Sequence, residues 1–306
     1  MQSISSVQEL NNKEQKKDLS ISVVIPTYKD WDRLVLCLKA LEQQTLPKEQ
    51  FEVIVVNNEP KDLCPLKDLA LNVQVIEESA PGSYAARNTG VTQAGAEVIA
   101  FTDADCIPEA HWLAEGLKLM QSGEQRVAGH IVLTSDSEKP SAAEVYSKAF
   151  AFDQIKRVKK GVAVTANLFI RKEVYNKVGP FNPELMSGGD FEWNKRATAM
   201  GFGIVYSDKA IVEHPALKTM AELFKKERRI AGGVVMQKKM RGEKVSMLSM
   251  VRNFLPPLQV LHRLLKRKDL TKKEALTAFG VHYLLNTYKQ YVKFLIYIGL
   301  HKTPRT

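Results

Sequence analysis

Short apolar runs alternate with amphipathic stretches through the first hundred residues. The runs predict β-strands, because near-continuous Val and Ile segments are typical of parallel strands covered by helices on both faces. The predicted strands are Ser20–Pro26, Phe51–Val56, Val73–Ile76 and Ala96–Phe101. The stretches between them predict helices, from about Asp30 to Gln44, from Tyr84 to Ala94 and, after the last strand, from Glu109 to Met120. This alternation predicts an α/β fold with a mainly parallel, doubly wound sheet and right-handed crossovers.

Two carboxylates stand where the fourth predicted strand ends. Asp103 and Asp105 follow it directly, and open α/β sheets bind ligands outside the carboxyl ends of their strands. On an extended chain these two side chains point the same way. Hard anionic ligands suit Mg2+ or Mn2+, which bind partly through a substrate's phosphates. The pair therefore indicates a nucleotide diphosphate held through a metal, although Asp-x-Asp alone also fits a solvated acidic turn.

Polar residues follow other predicted strands at the same edge. Tyr28 offers an aromatic ring, and Asn57–Asn58 offers amides that can contact a base or a ribose. Arg87 and Asn88, near the start of a helix, can meet a phosphate through the guanidinium fork and the helix dipole. Each has an ordinary alternative: a packed tyrosine, a turn formed by the asparagines, or an ion pair between Arg87 and Glu97. Together, loops on one rim of one sheet favour a nucleotide site.

Length and composition fit a globular protein. A chain of 306 residues can bury a sizeable core, and no apolar run reaches the roughly 18 residues that suggest a membrane span. The three cysteines lie far apart without metal-ligand spacing, which fits a reduced, cytoplasmic compartment. Residues 1–18 are polar without a signal-peptide core and are expected to form a disordered lead-in.

Charge is distributed unevenly along the chain. From residue 216 onward there are 20 Lys and Arg against 5 Asp and Glu, a net +15, so the rest carries −5. Residues 218–306 are predicted to form a basic helical extension. Lys289 and Lys293 interrupt its last apolar stretch, Phe279–Leu300, which indicates an interfacial or packed helix.

Two interpretations of this basic extension remain open. It fits an anionic membrane surface at the inner face of the membrane, or a solvated basic face on helices packed against the rest of the protein. No nucleic-acid module accompanies the charge, so no nucleic acid is expected as a partner.

Seven short motifs follow one another along the chain: Val23–Tyr28, Val53–Asn58, Ala86–Gly90, Phe101–Asp105, Ala166–Arg171, Gly179–Asn182 and Ser187–Glu192. Their order and spacing resemble those of the family 2 glycosyltransferases of the GT-A fold. The resemblance implies a catalytic domain at 19–217, with a nucleotide-sugar half at 19–106 and an acceptor half at 107–217. It also implies metal-dependent, inverting transfer from a nucleotide-diphosphate-sugar to a hydroxyl of a glycan or lipid-linked acceptor, in cell-surface polysaccharide or glycolipid assembly.

The resemblance also assigns residues. Pro26, Tyr28 and Asn58 match positions that line the nucleoside pocket. Asp103 and Asp105 match the metal-binding pair that holds the donor's diphosphate, and His214 matches a histidine that can complete the metal's shell or touch the diphosphate. His214 could equally be a packed residue.

The expected general base lies in the second half of the chain. Asp190 matches the family's base, with Glu192 as the weaker candidate. An acid at a helix start is also favoured by the dipole, so Asp190 could be only a cap. Trp112 and Trp193 could stack on sugars but are expected in the core. The alternatives in function are a nucleotidyltransferase on a similar sheet and a non-catalytic basic nucleic-acid-binding protein.

Overall fold

The computed structural model describes residues 19–66, 71–135, 137–150, 152–243 and 254–300. It contains an eight-stranded sheet with the order β3-β2-β1-β4-β7-β6-β8-β5. The strands are β1 (Ile21–Thr27), β2 (Phe51–Asn57), β3 (Val73–Glu77), β4 (Val98–Thr102), β5 (Ile107–Pro108), β6 (Arg126–Thr134), β7 (Asn167–Arg171) and β8 (Val205–Pro215). The expected lead-in at 1–18 lies outside the described residues.

Strand direction changes along the sheet. Strands β3, β2, β1 and β4 pair in parallel, as their alternation with helices predicts. Strand β7 runs antiparallel to both β4 and β6, and β5 runs antiparallel to β8. The predicted α/β fold is confirmed. Its antiparallel pairs all involve strands after residue 106, where the regular strand–helix alternation behind the parallel prediction ends.

Helices connect the strands and continue beyond them. In the sheet-containing region they are α1 (Trp31–Glu42), α2 (Ser83–Gln93), α3 (Trp112–Gln121), α4 (Ala142–Phe150), α5 (Gln154–Val158), α6 (Lys172–Val178) and α7 (Gly189–Ala199), with a 3-10 turn at Lys48–Gln50. The C-terminal helices are α8 (Met220–Met240), α9 (Leu258–Leu265) and α10 (Lys272–Tyr297). The predicted helical extension is thus present at its described residues.

Local sequence explains where the two longest C-terminal helices begin. Thr219 and Thr271 are N-caps, and each forms a capping box with the glutamate three residues later, Glu222 or Glu274. Each box satisfies backbone N–H groups at the helix start. None of the described helices combines the length and apolar character that crossing a bilayer requires.

The core lies against both faces of the first strands. Every residue of β2 is buried, and Gly90 lets α2 approach the sheet, since a Cβ there would stand 2.4 Å from Cγ1 of Val24. Trp112 and Trp193 are fully buried, as expected for core residues.

The chain divides into two compact units. The first comprises the residues up to Val132, Gln154–Pro183 and Asp190–His214. The second comprises Leu133–Asp153, Glu184–Gly189 and the residues from Pro215 onward. The second unit has apolar clusters of its own, one of which is Val145, Leu264, Leu270, Ala275 and Ala278. The domain boundaries expected at 106 and 217 stay predictions.

Candidate active site

The parallel register brings the loops after four strands to one edge of the sheet. Thr27 pairs with Asn57, and Asn57 with Glu77, so β1, β2 and β3 end side by side. Phe101 of β4 pairs with Val24, which places Asp103 at that edge. Residues from four chain segments can therefore contact one ligand there.

Asp103 and Asp105 lie in a turn, so the expectation of an extended chain was wrong. Strand β4 ends at Thr102, and the N–H of Cys106 donates to the carbonyl of Asp103 across 3.1 Å. The turn still brings ligand atoms of the two carboxylates within 4.8 Å of each other. Turn geometry, not strand alternation, groups the pair.

Strand β8 delivers His214 to the same turn. Its antiparallel pairing with β5 sets Glu213 opposite Ile107, and Nε2 of His214 lies 3.8 Å from Oδ1 of Asp105. Ligand atoms of His214, Asp103 and Asp105 all lie within 4.8 Å of one another. The structure thus brings together the three residues expected from the sequence to bind a metal.

The chemistry of this cluster fits a divalent cation. Two carboxylates and one imidazole form an oxygen and nitrogen donor set that such ions accept. Burial raises the pKa of Asp105, His214 and Arg33 lower it, and the charge of Asp103 raises it further. A bound cation would relieve the repulsion between the two acids. Cys106 belongs to the same cluster. Burial raises the pKa of its thiol well above its usual value, and sulfur suits Mg2+ or Mn2+ less well than carboxylate oxygen does.

Arg87 is buried beside Asp103 and not paired with Glu97. Its Nη2 donates to Oδ1 of Asp103, and its guanidinium carbon lies 5.6 Å from the ring centroid of Tyr84. Its Nε is buried and has no hydrogen-bond partner among the described residues. An unused buried donor next to the carboxylates is a group that a phosphate oxygen could satisfy.

Asn58 uses its amide to shape the loop after β3. Its Nδ2 donates to the carbonyls of Glu78 at 2.9 Å and Ala80 at 2.8 Å. Its Oδ1 accepts from the N–H of Gly82 at 2.7 Å, and Gly82 has a φ of +114°, which favours glycine. Asn58 therefore fixes the backbone that leads into α2.

Pro26 lies within β1, and Tyr28 directly follows this strand. Tyr28 is 46% exposed, and Nζ of Lys29 lies 5.5 Å from its ring centroid. Pro26 is half-buried. The exposed ring is accessible to a ligand, which favours the predicted binding role of Tyr28 over core packing.

Asn88 joins α2 to residues of the second half. Its Nδ2 donates to the carbonyl of Phe181 at 2.8 Å, and its Oδ1 accepts from the N–H of Phe181 at 2.9 Å and the hydroxyl of Tyr175 at 2.8 Å. Its amide is thus engaged within the protein.

Asp190 is the second residue of α7 and is 8% exposed. Its Oδ1 accepts from the Tyr84 hydroxyl at 3.2 Å and from the N–H of Phe191 at 2.9 Å. Burial, followed by the charge of Asp190, raises the pKa of Tyr84, so this hydroxyl keeps its proton and donates. The other carboxylate oxygen accepts no hydrogen bond from the described part of the chain.

Burial also raises the pKa of Asp190, although the Phe191 N–H, Arg87 and Tyr84 offset part of the effect. A carboxyl held through one oxygen, with a raised pKa, suits a group that takes a proton from a substrate.

Glu192 is engaged differently from Asp190. Arg196 donates to both of its oxygens, from Nε at 2.7 Å and from Nη2 at 3.2 Å. The same guanidinium donates to the carbonyls of Val178 at 2.5 Å and Pro180 at 2.7 Å. Glu192 therefore belongs to an ion pair that fixes the loop before α7.

A buried arginine anchors α7. Arg126 donates to Oδ1 of Asn194 at 2.6 Å, Oγ1 of Thr198 at 2.9 Å and the carbonyls of Phe202 at 2.6 Å and Gly203 at 3.2 Å. Burial lowers its pKa to about 10, so it is still charged at neutral pH.

Several residues that support Asp190, directly or through Tyr84, were not assigned this role by any sequence pattern. Phe181 contacts the rings of Tyr84, Phe101 and Trp193, with centroids 5.9, 5.5 and 5.2 Å apart. The only signal at Tyr84 was its place at a predicted helix start. Its contact with Asp190 depends on packing between distant segments.

Comparison with known proteins identifies the family. Residues 22–179, about half of the chain, match the profile described as Glycosyl transferase family 2. The chain belongs to this family. Glycosyltransferase AglE of Haloferax volcanii is 38% identical over 226 residues, which are 70% of this chain and 73% of AglE. The predicted family membership and transferase activity are confirmed.

Two further matches extend the comparison. A protein of Methanococcus voltae, named dolichyl N-acetyl-alpha-D-glucosaminyl phosphate 3-beta-D-2,3-diacetamido-2,3-dideoxy-beta-D-glucuronosyltransferase, is 22% identical over 68% of this chain and 70% of its own length. The structure of mannosyltransferase PcManGT from Pyrobaculum calidifontis, in complex with GDP-Man and Mn2+, aligns with 98% of this chain and 84% of its own. Its TM-score is 0.54 at 18% identity, so it supports the fold.

This protein therefore uses a nucleotide-sugar donor and acts in glycan assembly, as its family and its relatives indicate. This membership favours glycosyl transfer over the nucleotidyltransferase and the non-catalytic alternatives.

Proposed function

We propose that this enzyme is a metal-dependent, inverting glycosyltransferase that acts on a lipid-linked or glycan hydroxyl. One observation carries the proposal. Ligand atoms of Asp103, Asp105 and His214 converge within 4.8 Å of one another at the edge where the loops proposed to bind the nucleotide meet. The proposal of a general base rests separately on Asp190, a buried carboxyl held through a single oxygen.

Asp103, Asp105 and His214 would hold the cation. Carboxylates suit both Mg2+ and Mn2+, and the imidazole favours Mn2+ of the two. When bound, the cation would offset the negative charge of the diphosphate. The structure of PcManGT, which shares the fold, is of its complex with GDP-Man and Mn2+.

Several residues would form the donor pocket. The exposed ring of Tyr28, beside Pro26, is available to the nucleoside, and the backbone that Asn58 fixes forms another wall. Arg87 neutralises Asp103 and retains its unused Nε for phosphate. Asn88 would hold α2 in place through the hydrogen bond from its Nδ2 to the carbonyl of Phe181.

Asp190 would act as the general base. It accepts the proton of the acceptor hydroxyl as that oxygen attacks the anomeric carbon, and the bond from this carbon to the diphosphate oxygen breaks. Attack opposite the leaving group inverts the anomeric centre. The ion pair of Glu192 with Arg196 makes Glu192 a poorer proton acceptor.

A lipid-linked acceptor is favoured by the C-terminal helices and by the Methanococcus voltae relative, whose name specifies a dolichyl N-acetyl-alpha-D-glucosaminyl phosphate acceptor. Residues 254–300 carry eight Lys and Arg against two Asp and Glu. Large apolar side chains are exposed among these charges: Leu255, Leu258, Leu265, Leu276 and Leu284. Exposed leucines among cations suit peripheral binding to an anionic membrane surface.

Replacing the base tests the catalytic assignment. Asp190→Asn keeps the shape of the side chain but cannot accept the proton, so transfer should fall by about 100-fold or more, with donor affinity within a few-fold. Glu192→Gln, the matched control on the same helix, should retain turnover within about fivefold, since it removes no proton acceptor that the reaction uses. Full turnover in Asp190→Asn would remove Asp190 from the mechanism, and loss of donor binding would move it to the donor site.

A further inference from the structure

The turn that leads into the base is held by a C-terminal helix of the same compact unit. Gly188 lies two residues before Asp190 and has a φ of +77°. Nε2 of Gln237, on α8, donates to the carbonyl of Gly188 at 3.1 Å. A Cβ on Gly188 would stand 2.8 Å from the same Nε2, so a side chain there would displace the Gln237 amide from this hydrogen bond. The positive φ also favours glycine at this position.

The backbone of α8 also approaches residues 187–189 at Gly233, one helical turn before Gln237. Gly233 lies four residues before Gln237, hence on the same face of α8. It is buried, and a Cβ there would stand 2.4 Å from the carbonyl oxygen of Ser187 and 3.1 Å from its carbonyl carbon. The obstacle is backbone, so a side chain could be accommodated only by moving the turn or the helix.

We propose that Gly233 and Gln237 are positioning residues for the general base. They fix the turn Ser187–Gly189, and Asp190 follows this turn as the second residue of α7. The inference rests on the proposed role of Asp190. Neither residue touches the reacting atoms; both act through the backbone that sets where the Asp190 carboxyl lies relative to the Tyr84 hydroxyl.

The magnitude of the effect follows from geometry. A misplacement of a catalytic group by about 1 Å can lower the rate by about 100-fold, and Gly233→Ala requires a shift of about that size. Donor binding uses loops after β1 to β4, so the donor KM should be spared. The C-terminal helix therefore contributes to catalysis, in addition to any binding surface that the basic extension provides.

The test compares steady-state kinetics of full-length variants. Gly233→Ala, Gln237→Ala and Gln237→Glu, which keeps the length but loses the donor, should lower kcat about tenfold or more with a donor KM within twofold. Two controls should leave both constants unchanged: Gly280→Ala, at a helical glycine of α10 with no atom within 4 Å of its added Cβ, and Lys239→Ala, at an exposed position on α8.

Circular dichroism and melting temperature show whether each variant is folded. If Gly233→Ala does not fold, the two Gln237 variants, which add no bulk to the contact, carry the test. Unchanged kcat in folded variants overturns the proposal, as does a parallel rise of donor KM. Asp190→Asn in the same assay separates the two claims: if it is active, the base assignment fails; if it alone is inactive, only the positioning role fails.

Discussion

At the scale of single residues, residue type predicts some functional roles but not others. Asp103, Asp105, His214 and Asp190 were expected from chemistry and motif position, and the first three are brought together by the fold. Their roles stay predictions. Asn58 and Arg87 illustrate the limit, because an amide or guanidinium can serve a ligand or the protein's own backbone. In the structure the amide of Asn58 fixes a loop and Arg87 donates to Asp103. These contacts depend on which distant residues pack beside them, so residue type alone does not predict them.

The titration of Asp190 yields a prediction for the pH profile. Burial raises its pKa above the ordinary value of about 4, and a base must be ionised to accept a proton. The kcat should therefore fall as the pH decreases through this raised pKa and level off above it. The hydrogen bond from Tyr84 lowers the pKa of Asp190, so Tyr84→Phe should move the acidic limb to higher pH. Profiles of kcat against pH for both proteins check this, and a shift to lower pH would contradict it.

At the scale of elements, local pattern and long-range pairing differ in how well they can be predicted. Strands β1, β2 and β4 and helices α1 and α2 lie within about two residues of their expected positions, because their apolar patterns are local. The pairing of β5 with β8, which delivers His214, joins segments that are a hundred residues apart. No periodicity in either segment specifies the other.

Close packing of α2 on the sheet gives a stability prediction. Gly90→Ala would place a Cβ 2.4 Å from Cγ1 of Val24, and overpacking of this kind costs about 1–3 kcal/mol of unfolding free energy. Gly280→Ala makes the same substitution where nothing lies within 4 Å and should stabilise by up to about 1 kcal/mol. Urea unfolding of both variants measures the difference. Equal stability of the two would show that α2 does not approach the sheet this closely.

At the scale of the whole molecule, the division into two compact units could not be predicted from the sequence. Charge marks the residues from 216 onward as a separate basic region. The second compact unit, however, also includes Leu133–Asp153 and Glu184–Gly189. Its apolar cluster of Val145 with Leu264 and Ala278 joins segments far apart in the chain. Composition reports what a region contains, but not which earlier segments pack with it.

Membrane attachment is testable with vesicles. The protein should cosediment with vesicles that contain phosphatidylglycerol, but weakly with phosphatidylcholine vesicles, and salt should reduce binding because cations contribute. Leu258→Ser with Leu265→Ser should weaken binding by removing exposed apolar area from the basic region. Leu63→Ser is the matched control, since Leu63 is 82% exposed but lies in the other unit. Equal binding to both vesicle types, or no effect of the paired substitution, would refute attachment by this surface.

The central claim is that a cation held by Asp103 and Asp105 supports sugar transfer. The direct measurement is nucleotide release from a panel of UDP- and GDP-sugars by EDTA-treated protein as Mn2+ is added back. The account predicts no turnover in EDTA and recovery with Mn2+ in the unmodified protein. It predicts the same for Cys106→Ala, because Mn2+ prefers carboxylate oxygen to the sulfur that this substitution removes. It predicts no recovery at any Mn2+ concentration when Asp103→Ala and Asp105→Ala are combined. Turnover that persists in EDTA, or in the doubly substituted protein, would contradict it.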